Sequence, residues 1–207
     1  SVFAGERINF ISRACSGMLA GLSWKPKLLP YCILIGIELA AIAVVFTVND
    51  TLTKRFGSRF FNELPIHSDS PYMRVWQGGI VAFQESPIIG IGPDVYRKTC
   101  PALSEGLSNI DCHTHPHNFY IQLAGETGLL GLVAGCFMMG SILITCFSYR
   151  HVDKDNIFTA IAYVIPLAVF FPIQTTSDFF GQWNNLFMWS AVAFALASGN
   201  LLPDRKA

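Results

Sequence analysis

Apolar residues fall in five blocks, at roughly 3–23, 30–48, 119–148, 157–177 and 185–202, with the polar residues gathered between them. A membrane-crossing helix needs about 20 mostly apolar residues, so the pattern predicts five spanning helices. The first block is the least apolar, because Glu6, Arg7, Asn9 and Arg13 interrupt it. Pro26 and Pro30 bracket the turn that follows, and the run DKDN at 153–156 supplies capping residues ahead of the fourth helix. Between the second and third blocks the chain is polar but not featureless. Residues 71–85 (PYMRVWQGGIVAFQE) place Val75, Ile80, Val81 and Phe83 among polar positions at helical spacing, which predicts an amphipathic helix lying over the membrane. Phe60, Phe61, Tyr72, Trp76, Phe83 and Tyr96 add enough aromatic area for a small folded cap.

Composition sharpens this picture. Only 14% of the residues are charged and 52% are apolar, whereas a soluble domain carries about 25% charge; much of this surface therefore does not face water. The apolar content excludes a disordered chain, and the balance of 14 basic against 14 acidic residues argues against a nucleic-acid partner. Lys and Arg in short loops mark the cytoplasmic side. Lys25 and Lys27, Arg150 and Lys154, and Arg205 and Lys206 mark three cytoplasmic ends, while the short connection around 178–184 has no basic residue. Residues 50–116 are then extracytoplasmic. The six basic residues of that loop do not oppose the assignment, since a loop longer than about 60 residues crosses largely regardless of charge. The expected organisation is two spans in 1–49, the extracytoplasmic loop 50–116, and three spans with a short tail in 117–207. Trp24 and Trp183 fall near predicted helix ends, at headgroup level. The chain begins at Ser1 without a signal-peptide pattern, so it reads as the C-terminal piece of a longer all-α, polytopic membrane protein.

Cysteine usage divides by depth. Cys15, Cys32, Cys136 and Cys146 lie in apolar blocks and read as small buried side chains, whereas Cys100 and Cys112 share the extracytoplasmic loop and read as a disulfide. The densest polar run is DCHTHPHN, 111–118, with His113, His115 and His117 at alternate positions. On an extended strand these imidazoles would share a face and could hold zinc or copper. Pro116 breaks such a strand, however, and the usual structural-zinc spacing is absent. Position offers the other reading: His117 and Asn118 stand where the loop ends and a helix begins, Asn118 as its cap. An imidazole there can take up a proton near neutral pH. Arg7, Arg13 and Arg74 also need explaining, because a guanidinium inside a bilayer costs about 2.5–3.5 kcal/mol or more. Arg7 and Arg74 belong on the same side as His117. Arg13 lies deeper, where Glu38 of the second helix is its natural structural partner. Guanidinium groups grip phosphate bidentately, so Arg and His facing a bilayer from outside point to a lipid-phosphate or lipid-pyrophosphate substrate.

Three segments resemble one family. HPHNFYIQLAGETGLLGL (115–132) resembles the most diagnostic stretch of the O-antigen ligase and O-antigen polymerase family of bacterial membrane glycosyltransferases, where a His-Asn pair opens a helix and a Glu-Thr-Gly turn follows. RVWQGGIVAFQESPIIGIGPDVYR (74–97) is similar to the family's extracytoplasmic segment, its glycine signature being SPIIGIG at 86–92, and AGERINF (4–10) resembles a shorter motif two spans earlier. The resemblance implies transfer of a glycan from an undecaprenyl-pyrophosphate carrier at the periplasmic face of the bacterial inner membrane, to a lipid A core or another glycan. It implies no cofactor and no metal. Arg7 and Arg74 would match the pyrophosphate-holding arginines and His117 the base, with Arg13, His115, Asn118 and Glu126 in support. Glu126, beside Gly125 and Gly128, also reads as a structural carboxylate at a helix kink. Two other classes compete: a transporter or channel whose path is lined by Arg13, Glu38 and Asp178, and an inactive packing half of a longer protein.

Overall fold

The computed structural model describes residues 15–21, scattered positions between 32 and 54, and residues 70–150, 156–173 and 176–201. Every regular element among the described residues is a helix. In chain order they are α1 (Pro71–Glu85), α2 (Tyr96–Leu103), α3 (Phe119–Tyr149), α4 (Ile157–Ile161), α5 (Val164–Val169) and α6 (Gln182–Ala197), followed by a 3-10 turn at Ser198–Leu201. Of the first two predicted spans, residues 15–21 and scattered positions between 32 and 47 are described and are helical, while Arg7, Arg13, Trp24 and Glu38 fall outside the described residues.

The amphipathic segment 71–85 is helical over the whole predicted range. Ser70 caps it, its hydroxyl accepting from Met73 N at 3.0 Å, and Pro71 occupies the first turn, where its missing N–H has no helical partner to lose. The buried face, though, is Val75, Gly78, Gly79 and Ala82. Of the apolar positions named in this helix, Val75 is buried and Ile80 is 41% exposed. Small residues win the interface because α3 crosses here at backbone distance: a Cβ at Gly125 of α3 would stand 2.9 Å from Gly79 O and 3.3 Å from Ala82 Cβ.

Across the same face of α1 sits the cap. Ala82, Tyr96 and Cys100 form its buried core, with Ile91, Leu103, Ile110 and Cys112 around them. A disulfide joins Cys100 to Cys112, whose Cα atoms are 5.8 Å apart, and the Tyr96 hydroxyl lies 3.3 Å from Cys100 Sγ. Burial, then the nearby Glu126 carboxylate, pushes the Tyr96 hydroxyl up to about 12. Of the aromatic residues expected to fill the cap, Tyr96 alone is in this core; Phe60 and Phe61 lie outside the described residues. Because a bridge restricts the unfolded chain, replacing Cys100 by serine should lower stability by about 2–4 kcal/mol. The check is thermal unfolding of the purified protein with and without reductant; an unchanged midpoint would show that the bridge contributes nothing.

The third apolar block forms one long element. Helix α3 is long and apolar enough to cross a membrane, with a mean hydropathy of 2.2 over its best window. It is kinked at Gly128, where φ is 65° and ψ is −166°. The fourth block is not one continuous helix. It divides into α4 and α5 and ends at Phe170, ahead of Pro172; the residue before a proline is pushed out of helical geometry. The fifth runs 182–197 rather than 185–202. Phe119, Leu123 and Met139 pack with Phe170 and Val192, and Cys146 packs with Ala162, Tyr163, Val164 and Ala195. Thus α4 and α5 return antiparallel to α3, and α6 runs beside α3 in its own direction. Trp183 stands in the first turn of α6 with 78% exposure.

Candidate active site

The two sequence motifs 86–92 and 125–130 form one structural unit. Ile91 N donates to Gly125 O at 3.0 Å and Gly92 N to Glu126 O at 2.9 Å, while Leu129 N donates to Pro87 O at 2.8 Å and Leu130 N to Ile88 O at 3.3 Å. The kink at Gly128 frees α3 amides and carbonyls, and the glycine turn satisfies them. Gly90 (φ 73°) and Gly128 (φ 65°) both occupy the left-handed region, and a Cβ on either would overlap the other strand of the contact, at the Glu126 and Ile88 carbonyls respectively. This explains why both motifs need glycine.

Above this clasp lies the histidine turn. Pro116 is buried against α1, 3.0 Å from where a Gly79 Cβ would stand. His117 follows with φ 54°, a left-handed conformation that histidine adopts more readily than most residues. Asn118 then caps α3 as expected: its Oδ1 accepts from Tyr120 N at 3.0 Å and Ile121 N at 3.2 Å, and its Nδ2 donates to Pro172 O at 2.7 Å. The turn is braced from the segment before α6, where Thr176 N donates to His117 O at 2.8 Å.

The three imidazoles are not equivalent. His113 is exposed, while His115 and His117 are half-buried with ring centroids 4.2 Å apart; His113 lies 5.5 Å from His117. His115 Nε2 sits 3.3 Å from Thr176 O, a pure acceptor, so this nitrogen carries the proton and donates; Nδ1, 3.0 Å from the Thr114 hydroxyl, then accepts. Both of its nitrogens are occupied. Burial, followed by the charges of His115 and His113, holds the His117 imidazole below its ordinary pKa of 6.5. His115 is lowered as well, chiefly by burial, with Asp178 opposing. Two neutral imidazoles at neutral pH follow, and His117 has the chemistry of a base. Among the described residues no three His, Cys, Asp or Glu side chains gather in a metal-holding group.

Beneath the turn a polar stripe at 118, 122 and 126 follows the helical i, i+4, i+8 spacing. Gln122 Nε2 donates to Asp178 Oδ1 at 2.6 Å and to Glu126 Oε2 at 3.0 Å, and Gln122 Oε1 accepts from Phe179 N at 2.8 Å. Glu126 Oε1 accepts the first amide of α2, Tyr96 N, at 2.8 Å. Both Glu126 oxygens are therefore engaged, one in the bundle and one in the cap, as a structural carboxylate would be. Gln122 and Thr176 carry no chemistry that singles them out in the sequence, although the four-residue spacing of Asn118, Gln122 and Glu126 inside an apolar run was a readable sign of a buried polar face. Asp178, read from the sequence as a transport-path residue, instead receives Gln122 and also Phe180 N at 2.9 Å.

Arg74 stands on the first turn of α1 and reaches the start of the same histidine turn. Its Nε lies 3.2 Å from Asp111 Oδ2, both side chains being about two-fifths exposed, and Asp111 N donates to Arg74 O at 3.1 Å. The ion pair is made through Nε, and the Arg74 side chain stays part-exposed. Arg74 and the imidazoles are thus fixed to one segment, 111–118, held against α1 at both Asp111 and Pro116. Arg7 and Arg13, outside the described residues, are not placed relative to it.

A search of curated proteins and a search of solved structures returned no match. A family model described as O-antigen ligase matches residues 2–136, a stretch that takes in α1, the glycine turn, the disulfide-bonded cap, the histidine turn and the kink of α3. On that match, which covers well over half of its length, the chain belongs to the O-antigen ligase family.

Proposed function

We propose that this chain supplies the periplasmic transfer site of a glycosyltransferase that takes a glycan from an undecaprenyl-pyrophosphate carrier and joins it to a hydroxyl of a lipid A core or of another glycan. Family membership makes it part of a membrane glycosyl-transfer system using lipid-linked glycan. The observation that supports the finer reading is a neutral, half-buried His117 on a braced turn whose first residue, Asp111, is ion-paired to the part-exposed Arg74 of α1. His117 takes the proton of the acceptor hydroxyl as its oxygen attacks the anomeric carbon. The bond to the pyrophosphate oxygen breaks on the opposite face, and the electron pair leaves with the pyrophosphate. The anomeric centre inverts. Arg74, joined in this reading by Arg7, meets the negative charge where it develops; fixed donors in a site of low dielectric act most strongly there. Asn118 and Glu126 hold the turn and the cap, and His115 buttresses His117.

Five spans, with 50–116 in the periplasm and the three basic ends in the cytoplasm, complete the proposal. The mutual bonding of Gln122, Glu126 and Asp178 supports a scaffold for the histidine turn rather than the lining of an ion path. His115 has both ring nitrogens engaged by protein groups, which supports a reaction without metal.

The test is a transfer assay on the full-length protein with carrier-linked glycan and several acceptors, with and without chelator. Arg74→Lys retains the charge but loses the bidentate fork. A charge-assisted hydrogen bond is worth about 1.5–3 kcal/mol, so the rate should drop roughly 10- to 150-fold. A near-native rate would reduce Arg74 to the structural partner of Asp111.

A further inference from the structure

The glycine turn 86–92 has a property that its docking on α3 does not require: it presents two large apolar side chains outward. Ile88 is 66% exposed and Ile89 69%. Directly beside them, Leu129 and Leu130 of α3 are 52% and 64% exposed, and the row continues down α3 through Val133 at 59%, Phe137 at 77% and Ile144 at 72%. The steps from 130 to 133, 137 and 144 keep these residues on one helical face. The turn therefore extends the outward apolar face of the membrane helix onto a second element.

The two halves of α3 differ. Residues 119–127 carry the buried Gln122 and Glu126 and are covered by α1. Residues 129–149 reach about 31 Å at 1.5 Å per residue, which by itself matches a hydrocarbon core about 30 Å thick. The kink at Gly128 is where one half gives way to the other. Irregular backbone is tolerated next to hydrocarbon only when protein satisfies its polar groups. Here Pro87 O and Ile88 O accept from Leu129 N and Leu130 N, Gly90 N bonds to Ser86 O at 2.9 Å, and Ile91 N and Gly92 N donate into the kink. No charged residue lies between Glu85 and Asp94.

We propose that the 86–92 turn is a membrane wedge: Ile88 and Ile89 insert among the lipid acyl chains beside Leu129 and Leu130, and so fix the hydrocarbon boundary at the Gly128 kink. The occupant of this patch is the bilayer itself, because the patch is continuous with the lipid-facing side of α3. His117 then stands no more than about 17 Å beyond that boundary along the helix axis, within reach of a headgroup-level phosphate. The inference rests on the membrane reading of α3 and not on the transfer reaction.

The experiment is electron spin resonance on the full-length protein in phospholipid vesicles. Single labels go on Ile88→Cys, Ile89→Cys, Phe137→Cys and Leu107→Cys, in a background where the four free cysteines are alanine and the bridge is kept. Positions 88 and 89 should collide with oxygen over a water-soluble nickel complex in the same ratio as position 137. That ratio should be several-fold above the one at 107, which is 54% exposed between α2 and the histidine turn. A ratio like that at 107 overturns the proposal in favour of a water-facing turn. Low collision with both reagents overturns it in favour of cover by another segment or a second copy. In case a label distorts the turn, Ile88→Trp should gain quenching by brominated lipid over the parent protein, and no gain counts equally against the wedge. Running both measurements on the transfer-deficient His117→Asn protein separates this proposal from the catalytic one.

Discussion

His117→Asn is expected to lose transfer by about 10²- to 10⁴-fold, the span of general-base catalysis, while still inserting in the membrane and forming the Cys100–Cys112 bridge. Asparagine is the informative replacement because His117 has a φ of 54°, and asparagine is enriched in that region whereas alanine is not. An amide cannot accept the acceptor proton, so the loss reports on chemistry rather than on backbone strain. His113→Asn, at the exposed position, should be mild, and His115→Asn intermediate, because it removes one of the links to Thr176. Equal losses at all three positions, accompanied by sensitivity to chelator, would replace the base with a metal site. The same assignment fixes the direction of the pH dependence. Burial and the neighbouring imidazoles hold His117 below 6.5, so the base stays neutral at pH 7 and the acid limb of kcat/KM should fall only below 6.5. Stability follows the same sign. The unfolded chain takes up these protons more readily than the fold, so stability from His115 and His117 is complete above 6.5 and declines as pH drops below it. A pH–rate profile with an acid limb above 7 would remove His117 from the role.

Gly128→Ala is expected to be the most damaging single change to the fold. With φ 65° and ψ −166° Gly128 is in a backbone region essentially reserved for glycine, which costs an alanine about 1–3 kcal/mol, and forcing a methyl into a packed contact adds typically 1–3 kcal/mol. The added carbon would meet the Ile88 carbonyl, so the clasp between the glycine turn and the kink must open. A loss of about 2–6 kcal/mol follows, with the cap released from α3. Gly140→Ala is the control: nothing lies within 4 Å of the added methyl, and the same helix should keep its stability. Thermal unfolding of the two detergent-solubilised proteins compares them, and equal midpoints would mean that the clasp does not hold the cap in place.

Local and long-range features of this chain differ in how far the sequence reveals them, for physical reasons. Helix α1 was legible to the residue because a cap, a first-turn proline and helical spacing are all local. So was the long third block, whose apolar run could only be helical, and the Asn118 cap that opens it. The two loop cysteines announced their pairing by the chemistry of the compartment. What the pattern did not contain was the contact that α1 makes with α3: beside Val75 it is made by Gly78, Gly79 and Ala82, since a helix crossing at backbone distance excludes large side chains. The glycine turn and the Glu-Thr-Gly kink stood as separate motifs, more than thirty residues apart. Only the tertiary structure showed that each supplies the hydrogen bonds the other lacks. The sequence singled out His117 by its place at the start of a helix; burial, a left-handed backbone and the bonds from Thr176, sixty residues away, are what the tertiary structure added. Composition and periodicity thus determined that this chain is helical and built for a bilayer. The lowering of the His115 and His117 pKa values, and the use of Glu126 as structure, were decided by long-range contacts, because a pKa and a hydrogen-bond partner belong to an environment and not to a residue.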